Sequence, residues 1–312
     1  MTETNAHTTT REKTLGNGRR FVAIAGATGG IGEALAAVYA PLCGRLSLSG
    51  RKEAKLLDLK RALCKAAAHC TVTTDAFDFR EEDRREAWCR RLVEEGCDTL
   101  ILCAGVSASV EPTVTAAGRP VVLPERSAEI EREMTVNATA NILAANTFAA
   151  EWLKKNAGCG RMARIVLVAS LAALTGLPGS PGYSASKAAL RTYGEALRRL
   201  TEKEGLSVTV LCPGYIESDM SRRYQGAKPS LMTAETAALR MKNAIEEGRD
   251  EYAFPWHLAF GIRLLGLIPK CLQSFFLKGF FFTVVPDEES KAGRVSAMES
   301  ATASKEKSER AA

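Results

Sequence analysis

The run Tyr183-Ser-Ala-Ser-Lys187 sets a phenol and an ammonium four residues apart, and Ser170 precedes the phenol by thirteen. On a helix, residues i and i+4 share a face, so Lys187 is expected close to the Tyr183 hydroxyl. A free tyrosine titrates at about 10 and is a poor acid–base catalyst at neutral pH. A neighbouring cation favours the phenolate and should lower that value towards the working range. Ser170 closes the apolar run 165–170 and is suited to hydrogen-bond a carbonyl oxygen as negative charge grows on it. Together the three side chains could move a proton and a hydride at a carbonyl. The string alone also reads as a serine-rich helix start with an incidental lysine.

A second constellation lies near the N-terminus. Residues 21–32 read Phe-Val-Ala-Ile-Ala-Gly-Ala-Thr-Gly-Gly-Ile-Gly and open into Glu33-Ala-Leu-Ala-Ala-Val-Tyr, a good helix former. Strand, glycine turn and helix form the context that a dinucleotide site needs. Gly26 permits the tight turn, Gly30 lets backbone approach a pyrophosphate and Gly32 allows close helix packing. Thr28 and Ile31 complete the turn. The helix N-terminus adds free N–H groups and a positive dipole end. The spacing is Gly-x-x-x-Gly-x-Gly, and an ordinary glycine-rich turn is the bland alternative.

Taken together, Gly26-x-x-x-Gly30-Ile31-Gly32, Asn137, Ser170, Tyr183-x-x-x-Lys187 and Pro213-Gly214 resemble the short-chain dehydrogenase/reductase family in order and spacing, over residues 21 to about 255. The resemblance implies a single-domain α/β fold, a doubly wound Rossmann-like parallel sheet, with a nicotinamide cofactor, no metal, and homo-oligomers built by pairing helices. It further implies that Lys187 also bonds the nicotinamide ribose and that Asn137 holds a water in a proton relay to Lys187. A helical-surface role for Asn137 stays open, since Asn141 and Asn146 lie nearby. Asp78 matches the position that contacts adenine, or else caps the helix expected from Glu81. Cys103-Ala104-Gly105 stands where the family has Asn-Ala-Gly. Gly105 still allows close approach to the ribose, but the asparagine's hydrogen bonds are expected to be lost, loosening the sheet locally. Pro213, Gly214 and Ile216 fall in the segment beside the nicotinamide, and Ser218 takes the place of a threonine that bonds the carboxamide or pyrophosphate.

Composition is that of an ordinary globular protein, with 46% hydrophobic and 25% charged residues in 312. The net charge of +6 is carried partly by scattered arginines (Arg84, Arg85, Arg90, Arg91, Arg198, Arg199, Arg222, Arg223), which read as solvated helix faces. Aromatics interleave with them too rarely for nucleic-acid binding. Nine dispersed cysteines without Cys-x-x-Cys suggest free thiols in a reducing cytosol, and the three histidines lie too far apart for a zinc site. Residues 1–18 lack an apolar signal-peptide core, which fits a cytoplasmic location. Four segments are expected: a disordered tail at 1–18, the Rossmann-type domain at 19–255, a C-terminal amphipathic helical extension at 256–285 and a disordered tail at 286–312.

Strands are expected at Val22–Ala25, Leu46–Ser49, Thr71–Phe77, Thr99–Cys103, Ile165–Val168 and Ser207–Leu211. Helices are expected at Glu53–Ala68, Glu81–Glu95, Ala128–Lys155 and Tyr183–Lys203. Such alternation gives βαβ units, with ligands beyond the strands' C-terminal ends. The second strand ends Ser49-Gly50-Arg51-Lys52 without the carboxylate of an NAD site. Arg51 offers a planar fork for a 2′-phosphate, which favours NADP(H) over NAD(H).

Substrate choice is expected in the long stretch 106–126 and, by resemblance, in a lid at 217–231. There Arg222, Arg223 and Lys228 either meet an acidic group or face solvent. Within 256–285, Lys270, Gln273, Ser274 and Lys278 share one helical face, while Leu272, Phe275, Phe276 and Phe282 point elsewhere. That pattern fits a helix covering the core, pocket or a subunit contact; a membrane-surface helix peripheral to the inner face of a membrane is the sharper alternative. The expected activity is an NADP(H)-dependent oxidoreductase acting on a small apolar keto or hydroxy compound. A catalytically silent nucleotide-binding regulator or a membrane-peripheral scaffold is the other class.

Overall fold

The computed structural model describes residues 20–269 and 282–292. In chain order it runs β1 (Phe21–Ala25), α1 (Gly30–Tyr39), β2 (Arg45–Gly50), α2 (Glu53–Ala66), β3 (Thr71–Ala76), α3 (Glu82–Glu94) and β4 (Thr99–Leu102). A hairpin follows, β5 (Glu111–Val114) and β6 (Pro120–Leu123), then α4 (Ser127–Glu133), a π-helical turn at Met134–Thr139, α5 (Ala140–Asn156) and β7 (Ala163–Val168). The remainder is α6 (Pro181–Thr201), β8 (Leu206–Pro213), α7 (Asp219–Arg222), β9 (Tyr224–Gln225), α8 (Ala234–Glu246), β10 (Glu251–Phe254), α9 (Trp256–Leu265) and β11 (Thr283–Val284). The main sheet has seven strands in the order β3-β2-β1-β4-β7-β8-β10, all parallel.

Both faces of this sheet are covered at its centre, so the central strands β1, β4 and β7 are almost wholly apolar, while β2, β3 and β8 interleave Ser and Thr. Alternate side chains go to opposite layers. Val22, Ile24, Ile101, Val166 and Val168 join Leu35, Tyr39, Met241 and Ile245 of α1 and α8 on one side. Ala23, Ala25, Leu100, Leu102, Ile165 and Leu167 join Trp88, Phe148, Trp152, Leu190 and Leu197 of α3, α5 and α6 on the other. Parallel strands bring all their C-terminal ends to one edge, where the glycine turn, Arg51, Asp78, Ser170 and Pro213 gather.

Several expectations are corrected. The 106–126 stretch contains the β5–β6 hairpin, and β10 adds a seventh strand to the six expected. Asn137 sits in the π-helical turn rather than in one continuous helix from Ala128 to Lys155. Arg85 is no solvated residue: it is buried, and its guanidinium donates to the Phe79 and Arg80 carbonyls at 3.1 and 3.3 Å. The 256–285 extension is only partly helical. α9 leaves Trp256, Phe260 and Leu264 exposed, whereas Thr283–Val284 pairs as a strand with β9 and Phe282 stacks on Tyr224 at 4.1 Å between ring centroids. Residues 286–292, expected as disordered tail, are fixed by ion pairs of Asp287 and Glu289. The tails at 1–18 and 293–312, and the helical face read from Lys270 to Lys278, lie outside the described residues. Among the described residues eight cysteines are free, no cluster of His, Cys, Asp and Glu could hold a metal ion, and no helix is long and apolar enough to cross a membrane.

The β1–α1 turn depends on Gly26. Its φ is +77°, and a Cβ there would stand 2.7 Å from the backbone nitrogen of Ala104 on the neighbouring strand's end. Left-handed backbone costs an L-residue about 1–2 kcal/mol before any collision is counted. Gly26→Ala is therefore expected to lose at least that much stability, read as a lowered midpoint in thermal or urea unfolding. An unchanged midpoint would mean that the turn relaxes without cost.

Candidate active site

Tyr183 and Lys187 lie on the first two turns of α6, and Ser170 follows β7. All three line one cavity of about 400 Å³ together with Gly105, Pro213, Gly214, Ile216 and Ser218. Ser170 is fixed by accepting a hydrogen bond from the Ala172 N–H at 3.1 Å. Lys187 is buried, and its Nζ donates to the Val168 carbonyl at 2.9 Å. It stands 5.8 Å from the centroid of the Tyr183 ring.

Burial dominates the titration of both groups. It pushes the Tyr183 phenol up to about 12, opposed by the Ser170 side chain within hydrogen-bonding reach and reinforced by the negative Glu133. It pulls Lys187 down to about 8, opposed by Cys103, Cys212 and Glu133. The expected lowering of the phenol by Lys187 does not appear: burial dominates, and the Lys187 ammonium donates to Val168. Tyr183 therefore keeps its proton at neutral pH.

Asn137 is buried in the π-helical turn, so it is no surface residue. Its Oδ1 accepts from the Val106 N–H at 2.7 Å, and its Nδ2 donates to the Val106 carbonyl and to Ser186 Oγ, both at 3.0 Å. It thus holds the chain just beyond Gly105. A Cβ on Gly105 would meet Asn137 Oδ1 at 3.3 Å and Lys187 Nζ at 3.4 Å, so glycine keeps that space open. Cys103 does not leave the sheet loose: its thiol, kept protonated by burial, donates to the Ala25 carbonyl at 2.8 Å and ties β4 to β1.

The glycine turn fits a dinucleotide. The N-terminus of α1 has no side-chain cap, so its N–H groups face the turn unobstructed. A Cβ on Gly30 would stand 2.9 Å from Ser218 Cβ, and one on Gly32 would collide with Gly26 O and Ala27 Cα, so neither position admits a side chain. Thr28 packs beneath Gly50 at the end of β2, its Oγ1 3.0 Å from where a Cβ would be. Ile31 lines the cavity, and the Ala104 carbonyl accepts from Asn141 Nδ2 at 3.1 Å. Ser218 spends its hydroxyl accepting from the Ser221 N–H at 3.1 Å as the cap of α7.

Asp78 does not cap α3. It makes a paired contact with the Arg80 guanidinium at 2.7 and 3.0 Å, and lies 4.0 Å from Arg51. Arg80 is a second cation beside Arg51 that sequence reasoning did not single out. In the segment 217–231, Arg222 pairs with Asp219, Arg223 donates to the Val285 carbonyl at 2.9 Å, and Lys228 sits 6.0 Å from the Tyr224 ring centroid. None of the three points a free charge into the cavity, whose outer wall is apolar: Leu171, Tyr215, Met220, Tyr224, Leu258, Ile262, Leu265 and Phe282.

Comparison with known proteins bears on this geometry. The family model described as short chain dehydrogenase matches residues 20–228. An uncharacterized oxidoreductase of Myxococcus xanthus is 31% identical over 256 residues, covering 81% of this chain and 94% of that protein. Among solved structures, a short-chain dehydrogenase from Sphingobium yanoikuyae in complex with NADPH aligns with a TM-score of 0.64 at 21% identity, over 80% of this chain and 97% of that one. A short chain dehydrogenase/reductase from Burkholderia phymatum in complex with NAD aligns with a TM-score of 0.66 at 21% identity, over 80% and 93%.

A group of carboxylates beneath α6 was not singled out from the sequence, because Glu125, Glu129 and Glu133 look like one side of a solvated helix. All three are buried. Glu125 accepts from the Gly182 N–H at 2.6 Å, and Glu133 accepts from the Ala108 N–H at 2.6 Å. A Cβ on Gly182 would stand 2.6 Å from Glu133 Oε2 and 2.9 Å from Glu125 Oε2, so glycine makes room for both acids. Burial, then the charges of Glu125 and Glu129, push Glu133 up to about 8, against the Ala108 N–H and Arg132. A carboxyl raised from its ordinary 4.5 binds its proton more tightly when folded, so stability falls as pH rises between 4.5 and about 8. Glu133→Gln keeps the acceptor for Ala108 and removes the titration. The variant is expected to gain stability relative to the parent at pH 8 compared with pH 5, measured by thermal unfolding. An identical pH dependence in both proteins would exclude the assignment.

Proposed function

The chain belongs to the short-chain dehydrogenase/reductase family, and we propose that it interconverts a carbonyl and a secondary alcohol on an apolar, lipid-like substrate, with NADP(H) preferred. The observation that carries this reading is the convergence of Ser170, Tyr183 and Lys187 on one cavity that also reaches the glycine turn and is otherwise lined by apolar side chains. A reduced nicotinamide, when bound, supplies the hydride. Tyr183, protonated at neutral pH, gives its proton to the substrate oxygen as charge grows there. Ser170, oriented by the Ala172 N–H, donates a hydrogen bond to the same oxygen. Lys187 spends one donor on Val168 and has two left for the cofactor's ribose. In the direction of alcohol oxidation Tyr183 acts as base, and a cation brought close by the bound state favours its phenolate.

The apolar wall supports a substrate recognised by burial rather than by charge. The outer face of α9, with Trp256, Phe260 and Leu264 exposed beside that wall, supports approach from an apolar surface, either a bilayer or a second subunit. Preference for NADP(H) rests on Arg51 and Arg80, neighbours beyond the ends of β2 and β3. A silent regulator would have no use for three such side chains in register.

Tyr183→Phe should lower kcat by about 10²–10⁴-fold while leaving cofactor affinity within twofold, as expected for loss of one general acid; a variant retaining most of its turnover with a panel of ketones would sink the assignment. Arg51→Ala should weaken NADPH roughly tenfold or more and NADH little, because only the former offers a phosphate to a guanidinium. Fluorescence titration with both cofactors decides this, and equal losses would remove the preference.

A further inference from the structure

The residues expected to take the 2′-phosphate already hold an anion from this chain. Glu289 Oε2 lies 2.7 Å from Arg51 NH1, and Glu289 Oε1 lies 3.0 Å from Arg80 NH1. Its two oxygens thus bridge two guanidinium groups, as two oxygens of a phosphate would. A third guanidinium, Arg132, stands 3.5 Å away. Burial would raise the Glu289 carboxyl, but Arg51, Arg132 and Arg80 together hold it below its ordinary value.

The contact does not hang on one side chain. Asp287 takes Arg132 through both its oxygens, at 2.6 and 3.0 Å, and lies 3.7 Å from Arg223. Ser290 Oγ accepts from Arg132 at 2.8 Å, and its N–H donates to Asp287 at 3.0 Å. Upstream, the Val284 N–H donates to Ser109 Oγ at 2.7 Å, and Phe282 stacks on Tyr224. The segment 282–292 is therefore seated at both ends, with Glu289 held over the seat beside β2.

Charge decides what else can enter. Arg51, Arg80, Arg132 and Arg223 are matched by Asp78, Glu129, Asp287 and Glu289, so the cluster is neutral as it stands. A phosphate monoester adds about −1.5 to −2 charge at neutral pH. Placed beside a docked Glu289, it would repel a carboxylate and find its guanidinium donors engaged. The uncharged 2′-hydroxyl of NAD(H) meets no such conflict, and a carboxylate is a suitable acceptor for it. The second strand ends without an acid, and Glu289 brings one to that place from 238 residues away.

We propose that Glu289 is a specificity-determining residue for the cofactor: docked on Arg51 and Arg80 it competes with a 2′-phosphate and reduces, without reversing, the preference for NADP(H), which binds by displacing it. This rests on the reading of Arg51 as the 2′-phosphate ligand. Two half-exposed ion pairs are worth together about tenfold in affinity. Glu289→Gln should therefore tighten NADPH and 2′,5′-ADP roughly tenfold, measured by calorimetry on the full chain, and leave NADH and 5′-ADP unchanged or slightly weaker. In the unaltered protein, NADPH should speed backbone hydrogen exchange across residues 286–292, and NADH should not. If Glu289→Gln leaves 2′,5′-ADP within twofold or weakens it, or NADPH slows exchange in that segment, the proposal is overturned. Arg51→Ala separates the two failures. If it weakens NADPH far more than NADH, the phosphate seat stands and only the role of Glu289 falls; if it weakens the two equally, the seat itself is misplaced and both fall.

Discussion

A buried ammonium must find an acceptor, and the position of Lys187 follows from that requirement. Taking a charge out of water costs several kcal/mol unless it is hydrogen-bonded. The last carbonyl of β7, that of Val168, is the acceptor, at 2.9 Å. This bond fixes the register of α6 against β7, and register then does the rest. One turn back along α6 lies Tyr183; two residues on from Val168 lies Ser170, turned inward by the Ala172 N–H. Gly105 completes the arrangement by having no side chain where Lys187 Nζ and Asn137 Oδ1 both approach.

The same burial explains why the protons stay where they are. Tyr183, Cys103 and Glu133 are all pushed towards their neutral forms by loss of water, and Lys187 is pulled towards its own. When the proposed reaction places charge on a substrate oxygen, a protonated phenol and a serine hydroxyl already line the cavity as donors to it. The N-terminus of α6 adds its dipole, which Glu125 meets through the Gly182 N–H.

Most of the sheet was legible in the sequence, because the six strands expected there are rich in apolar and β-branched residues, uninterrupted in β1 and interleaved with Ser and Thr in β2 and β3. The seventh, Glu251–Phe254, was missed: it is four residues long and begins with a charge. The Glu111–Val114 and Pro120–Leu123 hairpin was hidden by its prolines. The catalytic candidates were legible from type and spacing, since a phenol and an ammonium one helical turn apart have few other uses in register with a glycine turn. Their protonation was not, because desolvation is a property of the packed state. Arg85 and the carboxylates under α6 mislead for a related reason: a charged residue announces solvent until long-range packing gives it backbone partners. Arg80 and Glu289 were invisible because their relation runs across 209 residues of chain (289 − 80).

The segment 282–292 shows how that last kind of contact joins two sites that local sequence treats separately. Phe282 lines the cavity and stacks on Tyr224, while Glu289, seven residues on, sits on the arginines beside β2 and β3. Between them Val284 is tied to Ser109 and Asp287 to Arg132. A two-residue strand and a set of ion pairs therefore share one short stretch, so a side chain of the cavity wall and the carboxylate on Arg51 and Arg80 belong to one segment. Affinities linked through one element are reciprocal. If a 2′-phosphate displaces Glu289, the packing of Phe282 on Tyr224 is biased by the same free energy with which a ligand in the cavity biases the nucleotide. Cofactor choice and substrate fit are then not independent properties of this chain, and the apolar wall is best understood with the acidic segment in place.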